Sequence, residues 1–466
     1  MDDAKDAEFS LKVMINKEKT RVLFAQADSH FADILLSFLT LPLGRIVKVL
    51  EKHYGSVEAP TIGSLSNLYR SVANLEVGSH FVTEGAKQAL LNPTSSFEDK
   101  YAGLKLDITD FQPAQYFSCS VHSKRFRSVS IYYDTTRSTC PSWDCDRKLK
   151  KVVDEKGPKA TSTDEVFTVH KASFIISDDL QILPNETGIV GIVVSLGITD
   201  MDKAELINVD LGFNEIMNLL MTSLTSPTPL SDVILNKTRQ INTSILESPP
   251  LLQNVAMEEN PDFKKLSLKV MIQKSTGKFL YAQAKEEFIE FLFGLLHIPL
   301  GGAEYVFAGK TCFKAIDNLY RSSADLIDKY FKSPDTKNRL MKPNLVHGCI
   351  SGKYIFPLTE ECLPADYIDN INWFSSIKFP NGKGSYLTGP QIYHVADDLT
   401  VTPLCIVSMF SSLREQKISI SDVKEVELEI GLKEALGILK ASLTSTSALS
   451  DALLSHISIK QPKREV

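Results

Sequence analysis

Cys119-Ser-Val-His122 and Cys140-Pro-Ser-Trp-Asp-Cys145 are the residues whose types and spacing point most directly to chemistry. Each pair offers soft donors of the kind zinc prefers, and 17 residues (123–139) separate them. Thiolate and imidazole ligands on two turns, with a strand between them, close a tetrahedral site of the zinc-ribbon type. The intervening Val129-Ser-Ile-Tyr-Tyr133 reads as that strand, and Cys140-Pro opens like a ribbon knuckle. Cys119, His122, Cys140 and Cys145 are therefore candidate ligands of a structural zinc, with His170 as an alternative to His122. Two departures weigh against the motif: the second pair is spaced by four residues rather than two, and no glycine follows Cys145. The competing reading is ordinary reduced thiols beside a surface histidine. Cys349 and Cys362 lack partners at ligand spacing. No nearby acid is placed by motif as a general base, so the zinc would be structural.

The same stretch is locally basic. Lys124, Arg125, Arg127, Arg137, Arg147, Lys148, Lys150 and Lys151 stand against Asp134, Asp144 and Asp146, with Phe126, Tyr132, Tyr133 and Trp143 among them. Cations neutralise phosphates and aromatic rings stack on bases, so a nucleic-acid surface is one reading. A solvated face around a small insert is the other. No catalytic nucleophile is identifiable. The chain has no Gly-x-Ser-x-Gly elbow, no phosphate-binding Gly-rich loop, no dinucleotide fingerprint and no His-Glu-x-x-His. An enzyme would need an unfamiliar site.

A chain of 466 residues suits two or three domains. Its 43% hydrophobic and 23% charged content is that of a globular protein, and the net charge of -6 disfavours a generally nucleic-acid-binding surface. Seven cysteines, an odd and small number, do not suggest a secreted disulfide framework. Met1-Asp-Asp-Ala-Lys-Asp-Ala-Glu8 fits neither a secretory signal nor a transit peptide. The longest apolar run, Ile189 to Leu196, is far shorter than the roughly 20 residues that span a bilayer. The expectation is a soluble cytoplasmic or nuclear protein without a membrane partner, in which the sequons at Asn185, Asn236 and Asn242 are chance matches.

These residues are positioned by a framework that the chain contains twice. Leu11-Lys-Val-Met-Ile15 answers Leu268-Lys-Val-Met-Ile272, Leu41-Pro-Leu-Gly44 answers Ile298-Pro-Leu-Gly301, and Asn67-Leu-Tyr-Arg-Ser71 answers Asn318-Leu-Tyr-Arg-Ser322. Leu11 to Ala27 alternates and turns like a β-hairpin, with Gly277 supplying a turn residue in the second copy. Phe31, Ile34, Leu35, Phe38 and Leu39 form one apolar helix face, which Asp28 or Ser29 can cap and Pro42 ends. Shorter helices follow, one stopping at Gly55 and one carrying Leu65, Leu68, Tyr69 and Val72 inward. Tyr69-Arg70 and Tyr320-Arg321 read as structural hydrogen-bonding groups, with a ligand-binding arginine as the alternative. Asp178-Asp179 and Asp397-Asp398 read as turns rather than a shared acidic site, since neighbouring strand residues face opposite ways. The halves diverge from about Pro93. They realign at Asp-Asp-Leu and at the closing Leu-Thr-Ser and Leu-Ser-Asp, where a helical pair is expected.

The predicted class is α+β. Two tandem homologous domains each comprise a β-hairpin, helices, a strand-rich middle and a C-terminal helical pair. Residues 1–235 form the first, with the basic Cys/His insert at about 115–155, and 263–457 form the second, without it. Residues 236–262 are a linker holding Pro249-Pro250, and 458–466 a polar tail.

In the order and identity of these five motifs the chain resembles a plant-specific family catalogued only as a domain of unknown function, the DUF674 family, in two copies. The resemblance implies a plant source and a two-copy architecture. It implies no activity, cofactor or catalytic residue. The expected role is a non-catalytic interaction or scaffold protein with unidentified protein partners.

Overall fold

The computed structural model describes residues 8–56, 59–82, 84–110, 116–118, 131–132, 150–152, 165–186, 188–196, 204–235, 265–346, 355–360 and 385–459. Strands β1 (Phe9–Ile15) and β2 (Val22–Asp28) form the first hairpin. Phe9, Leu11, Val13 and Ile15 are buried while Ser10 and Lys12 are exposed, so period-two patterning sets the inward face. Asn16 closes the turn by accepting the backbone N–H groups of Thr20 and Arg21 through its side chain, and Lys19 takes a left-handed φ of 53°.

Three short strands, β3 (Tyr116–Ser118), β4 (Ile131–Tyr132) and β5 (Lys150–Val152), make a small antiparallel sheet in the order β4-β3-β5. Strands β6 (Ser173–Ser177), β7 (Ile182–Pro184) and β8 (Glu205–Leu211) complete the main sheet of the first half, ordered β7-β6-β2-β1-β8. The second half repeats this with β9 (Leu266–Gln273), β10 (Phe279–Lys285), β11 (Ile392–Val395), β12 (Val401–Pro403) and β13 (Val423–Ile430), ordered β12-β11-β10-β9-β13. Both sheets are antiparallel throughout.

The helices correspond in the same way. In the first half they are α1 (Ser29–Thr40), α2 (Leu43–Tyr54), α3 (Leu65–Asn74), α4 (Glu84–Leu91), α5 (Ile189–Ser195), α6 (Phe213–Thr225) and α7 (Pro229–Ile234). Their counterparts are α8 (Glu286–Gly294), α9 (Leu300–Val306), α10 (Lys314–Asp325), α11 (Pro334–Met341), α12 (Ile406–Glu415), α13 (Leu432–Thr444) and α14 (Ala448–Ile459). Asp28 caps α1 by accepting the Phe31 N–H at 2.9 Å, and α2 stops at Gly55 with φ 85°.

The α+β class is as expected, but the halves are not beads on a string. One hydrophobic core runs through both. Helix α1 was read as one-faced, yet all its residues except His30 are buried. Its apolar stripe faces its own sheet, and its other side packs against α9, α10 and α11 of the second half. The 236–262 linker lies outside the described residues, and α14 extends to Ile459, so the stretch read as a polar tail begins inside a helix. Among the described residues, no helix is long and apolar enough to cross a membrane.

Candidate functional site

The polar residues repeated in both halves converge on the surface between them. At its centre the two Pro-Leu-Gly turns pair with each other. Leu43 N donates to Ile298 O and Leu300 N to Leu41 O, both at 2.9 Å. A Cβ on Gly301 would lie 2.9 Å from Leu39 O, so glycine lets the opposite chain approach.

On either side of this contact sits a hook. From α3, Asn67 donates to the Asp398 carboxylate at 3.1 Å, and Ser71 Oγ accepts the Val401 N–H at 2.9 Å. From α10, Asn318 donates to the Asp179 carbonyl at 3.2 Å, and Ser322 Oγ accepts the Ile182 N–H at 3.0 Å. Each Asn-Leu-Tyr-Arg-Ser helix thus grips the Asp-Asp-Leu turn of the other half. The tyrosines and arginines serve locally: Tyr69 and Tyr320 donate to the carbonyls of Leu91 and Met341, while Arg70 reaches Glu51 and Arg321 reaches Asn318. Burial pushes both phenols up to about 12.

The paired aspartates form turns, as the sequence indicates, and divide their work. Asp178 receives Ser231 N–H and O–H at 2.8 and 2.9 Å; Asp397 receives Ser450 N–H and O–H at 2.7 and 2.6 Å. The first aspartate therefore fixes the start of the closing helix, and the second faces the other half. Burial raises the carboxyl pKa of both Asp178 and Asp397 above the ordinary value, against the opposing pull of the serine hydrogen bonds. Leu180 and Leu399, third in each motif, share φ 61° and are fully buried. Their packing offsets a left-handed conformation that costs roughly 1–2 kcal/mol.

Two further buried acids hold the chain that enters β6 or β11. Asp33 accepts the N–H groups of Val166, Phe167 and Thr168, and its counterpart Glu290 accepts that of Leu387 and the Ser385 hydroxyl. Sequence patterning missed both, because each sits on the side of a helix that amphipathic logic assigns to solvent. Glu165 accepts from Ser29 at 2.9 Å and from His170 Nδ1 at 2.8 Å. Burial opposes its ionisation, but backbone, Ser29 and His170 hydrogen bonds win and hold its carboxyl below the ordinary value.

Cys119, His122, Cys140 and Cys145 lie outside the described residues, as do Cys349 and Cys362. The alternative ligand His170 is 70% exposed and bound to Glu165. Among the described residues, no group of three or more His, Cys, Asp or Glu is placed to hold a metal ion.

Each half also turns an apolar helix outward. On α12 Ile406, Val407 and Phe410 are exposed, and Leu413 alone among its residues is buried. On α5 Val190 and Val194 are exposed while Ile192 is buried. The longest apolar run, Ile189 to Leu196, is therefore a surface helix.

A family model described as "Protein of unknown function (DUF674)" matches residues 5–431 and again 378–465. No curated protein and no solved structure matches the chain.

Proposed function

We propose a role for this chain, which belongs to the DUF674 family, as a non-catalytic interaction or scaffold protein built from a duplicated unit. One observation carries this reading. The shared asparagine and serine of each Asn-Leu-Tyr-Arg-Ser helix are engaged in joining the halves, and each half then presents an outward apolar helix, α5 or α12. Clusters of exposed apolar residues are characteristic of binding surfaces. We divide the chain into units 1–235 and 263–457 with the linker between them. The test is affinity capture from plant tissue, the source the sequence resemblance implies, with the full chain and an Ile406→Ser/Val407→Ser/Phe410→Ser variant. The variant is expected to keep its thermal stability and lose specific partners. An unchanged partner set sinks the role assigned to α12.

A structural zinc on Cys119, His122, Cys140 and Cys145 is a second proposal, with His170 as the alternative ligand. It is supported by the small sheet: β3 ends at Ser118, beside Cys119, and β5 begins at Lys150, shortly after Cys145. Strands flanking two ligand turns are what a ribbon needs. Protein purified without chelator should carry close to one equivalent of zinc; less than about a tenth overturns the site. Nucleic-acid binding through the basic insert is the competing reading. It requires that charge reversal of Lys148 and Lys150 weaken salt-dependent retention on immobilised nucleic acid.

A further inference from the structure

The second half contains two carboxyl groups that contact one hydroxyl. Thr311 Oγ1 lies 2.6 Å from Glu304 Oε1 and 2.8 Å from Asp317 Oδ1. A threonine hydroxyl has one hydrogen, so it donates to one carboxyl and accepts from the other. Both contacts are hydrogen bonds only if one carboxyl carries a proton. Asp317 Oδ1 also receives the Thr311 N–H at 2.8 Å, which favours charge there. Glu304 is fully buried and its Oε2 has no hydrogen-bond partner among the described residues. A carboxylate in that position would leave its charge without solvation. The proton therefore belongs on Glu304, which donates to Thr311, which donates to Asp317. Burial first, and then the Asp317 charge, raises the Glu304 carboxyl well above its ordinary value.

Of the groups around this triad Arg321 pulls toward ionisation of Glu304, but burial and the Asp317 charge outweigh it. From α10 come Asp317, Tyr320 and Arg321, whose guanidinium bonds Asn318 and the Asp317 carbonyl. Tyr305 lies beside Glu304 on α9 and carries Lys342, which follows α11, over its ring. From the preceding turn comes Cys312, beside Lys440 of α13. Helix α1 packs on α9 and brings one acid, Asp33, already taken by the 166–168 backbone.

The triad sits behind one hook and not the other. Asp317 immediately precedes Asn318 on α10, which grips the first half. In the first half Val47, Pro60 and Ser66 occupy the places of Glu304, Thr311 and Asp317, and Ser66 Oγ simply accepts the Ile62 N–H at 3.0 Å. We propose that the proton on Glu304 locks α9, the Thr311 turn and the start of α10 together, and that losing it releases the α10 hook while the α3 hook stays closed. Two ionised carboxyls around one hydroxyl would repel and lose a hydrogen bond, and the Thr311 turn would open.

The test is backbone hydrogen exchange of the full chain, wild type and Glu304→Gln, from about pH 5 to about pH 9, each site corrected for intrinsic exchange. Glutamine is neutral and can donate to Thr311 at every pH. In the wild type, protection of α10 should fall by up to about tenfold per pH unit above the ordinary glutamate range, with α3 unchanged. In Glu304→Gln neither helix should respond. An equal pH response of α3 and α10 in the wild type, or a persistent α10 response in the variant, overturns the proposal. The infrared carboxylic-acid C=O region at about pH 7 gives a second test: a band present in the wild type and missing from Glu304→Gln is expected, and identical spectra refute a retained proton.

Discussion

The hook on α3 and the hook on α10 perform one task with different supporting chemistry. Asn67 and Ser71 on one, and Asn318 and Ser322 on the other, bind the Asp-Asp-Leu turn of the opposite half. Behind α3 the chain makes a close backbone approach. Gly63 has φ 44°, its Cβ would lie 2.6 Å from Ser442 O, and Ser64 N donates to that same carbonyl. Behind α10 the place of Gly63 is taken by Lys314, whose ammonium lies 3.5 Å from Asp179. The halves share the gripping residues but differ in their support, which is backbone contact on one side and a polar triad on the other.

Substitutions that separate the two supports should have the largest effect. Gly63→Ala combines a left-handed strain with a clash against backbone and should destabilise by about 2–5 kcal/mol. Lys314→Ala removes a long ion pair made by a largely exposed lysine and should stay within about 0.5 kcal/mol. Denaturant midpoints of the two variants check this, and comparable losses would erase the distinction. Next come the hook serines. Ser71→Ala leaves the buried Val401 N–H unpaired and should cost about 1–3 kcal/mol, while Ser322→Ala, at a serine that is itself only half-buried and leaves room for water, should cost about 1 kcal/mol.

Two buried glutamates, one in each half, should lose their contributions at opposite ends of the pH scale. Glu165, in the first half, has a folded pKa below its ordinary 4.5. Its stabilisation is present above that value and is lost as pH falls through the folded one. Glu304 is raised from the same ordinary value, so its contribution is complete below it and is lost as pH rises toward the folded pKa. In thermal melts, Glu165→Gln should therefore blunt the acid-side loss of stability and Glu304→Gln the loss on the alkaline side. Variants that behave identically would contradict the assignment.

The smallest effect concerns the hairpin turns. Lys19 holds φ 53° in the first turn, and Gly277, one position further along its own turn, holds φ 73° in the second. Lys19→Gly should stabilise by about 1 kcal/mol and Gly277→Lys should destabilise by a similar amount, read from melting midpoints.

Local structure was legible wherever one residue and its neighbours decide it. The Leu11 to Ala27 alternation, the Asp28 cap, the Gly55 stop and the Asp-Asp-Leu turns all follow from short-range chemistry. Strands β8 and β13 were missed although Val423-Lys-Glu-Val-Glu-Leu-Glu-Ile430 alternates cleanly, because its outward glutamates resemble a solvated segment until β9 is seen beside it. The partners of the repeated motifs could not be read at all. Asn67 and Asp398 are 331 positions apart, and symmetry makes Asp179, in its own half, an equally plausible partner until the packing is known. Glu304 was hidden for a related reason: its counterpart is Val47, so the repeat itself marks the position as apolar.

A double-mutant cycle across the halves tests the central claim most directly. Asn67→Ala and Asp398→Ala should couple by about 0.5–3 kcal/mol, whereas Asn67→Ala and Asp179→Ala should be additive within about 0.5 kcal/mol. Coupling of Asn67 to Asp179 in place of Asp398 would mean that each half closes on itself, and would contradict the interlocking of the halves.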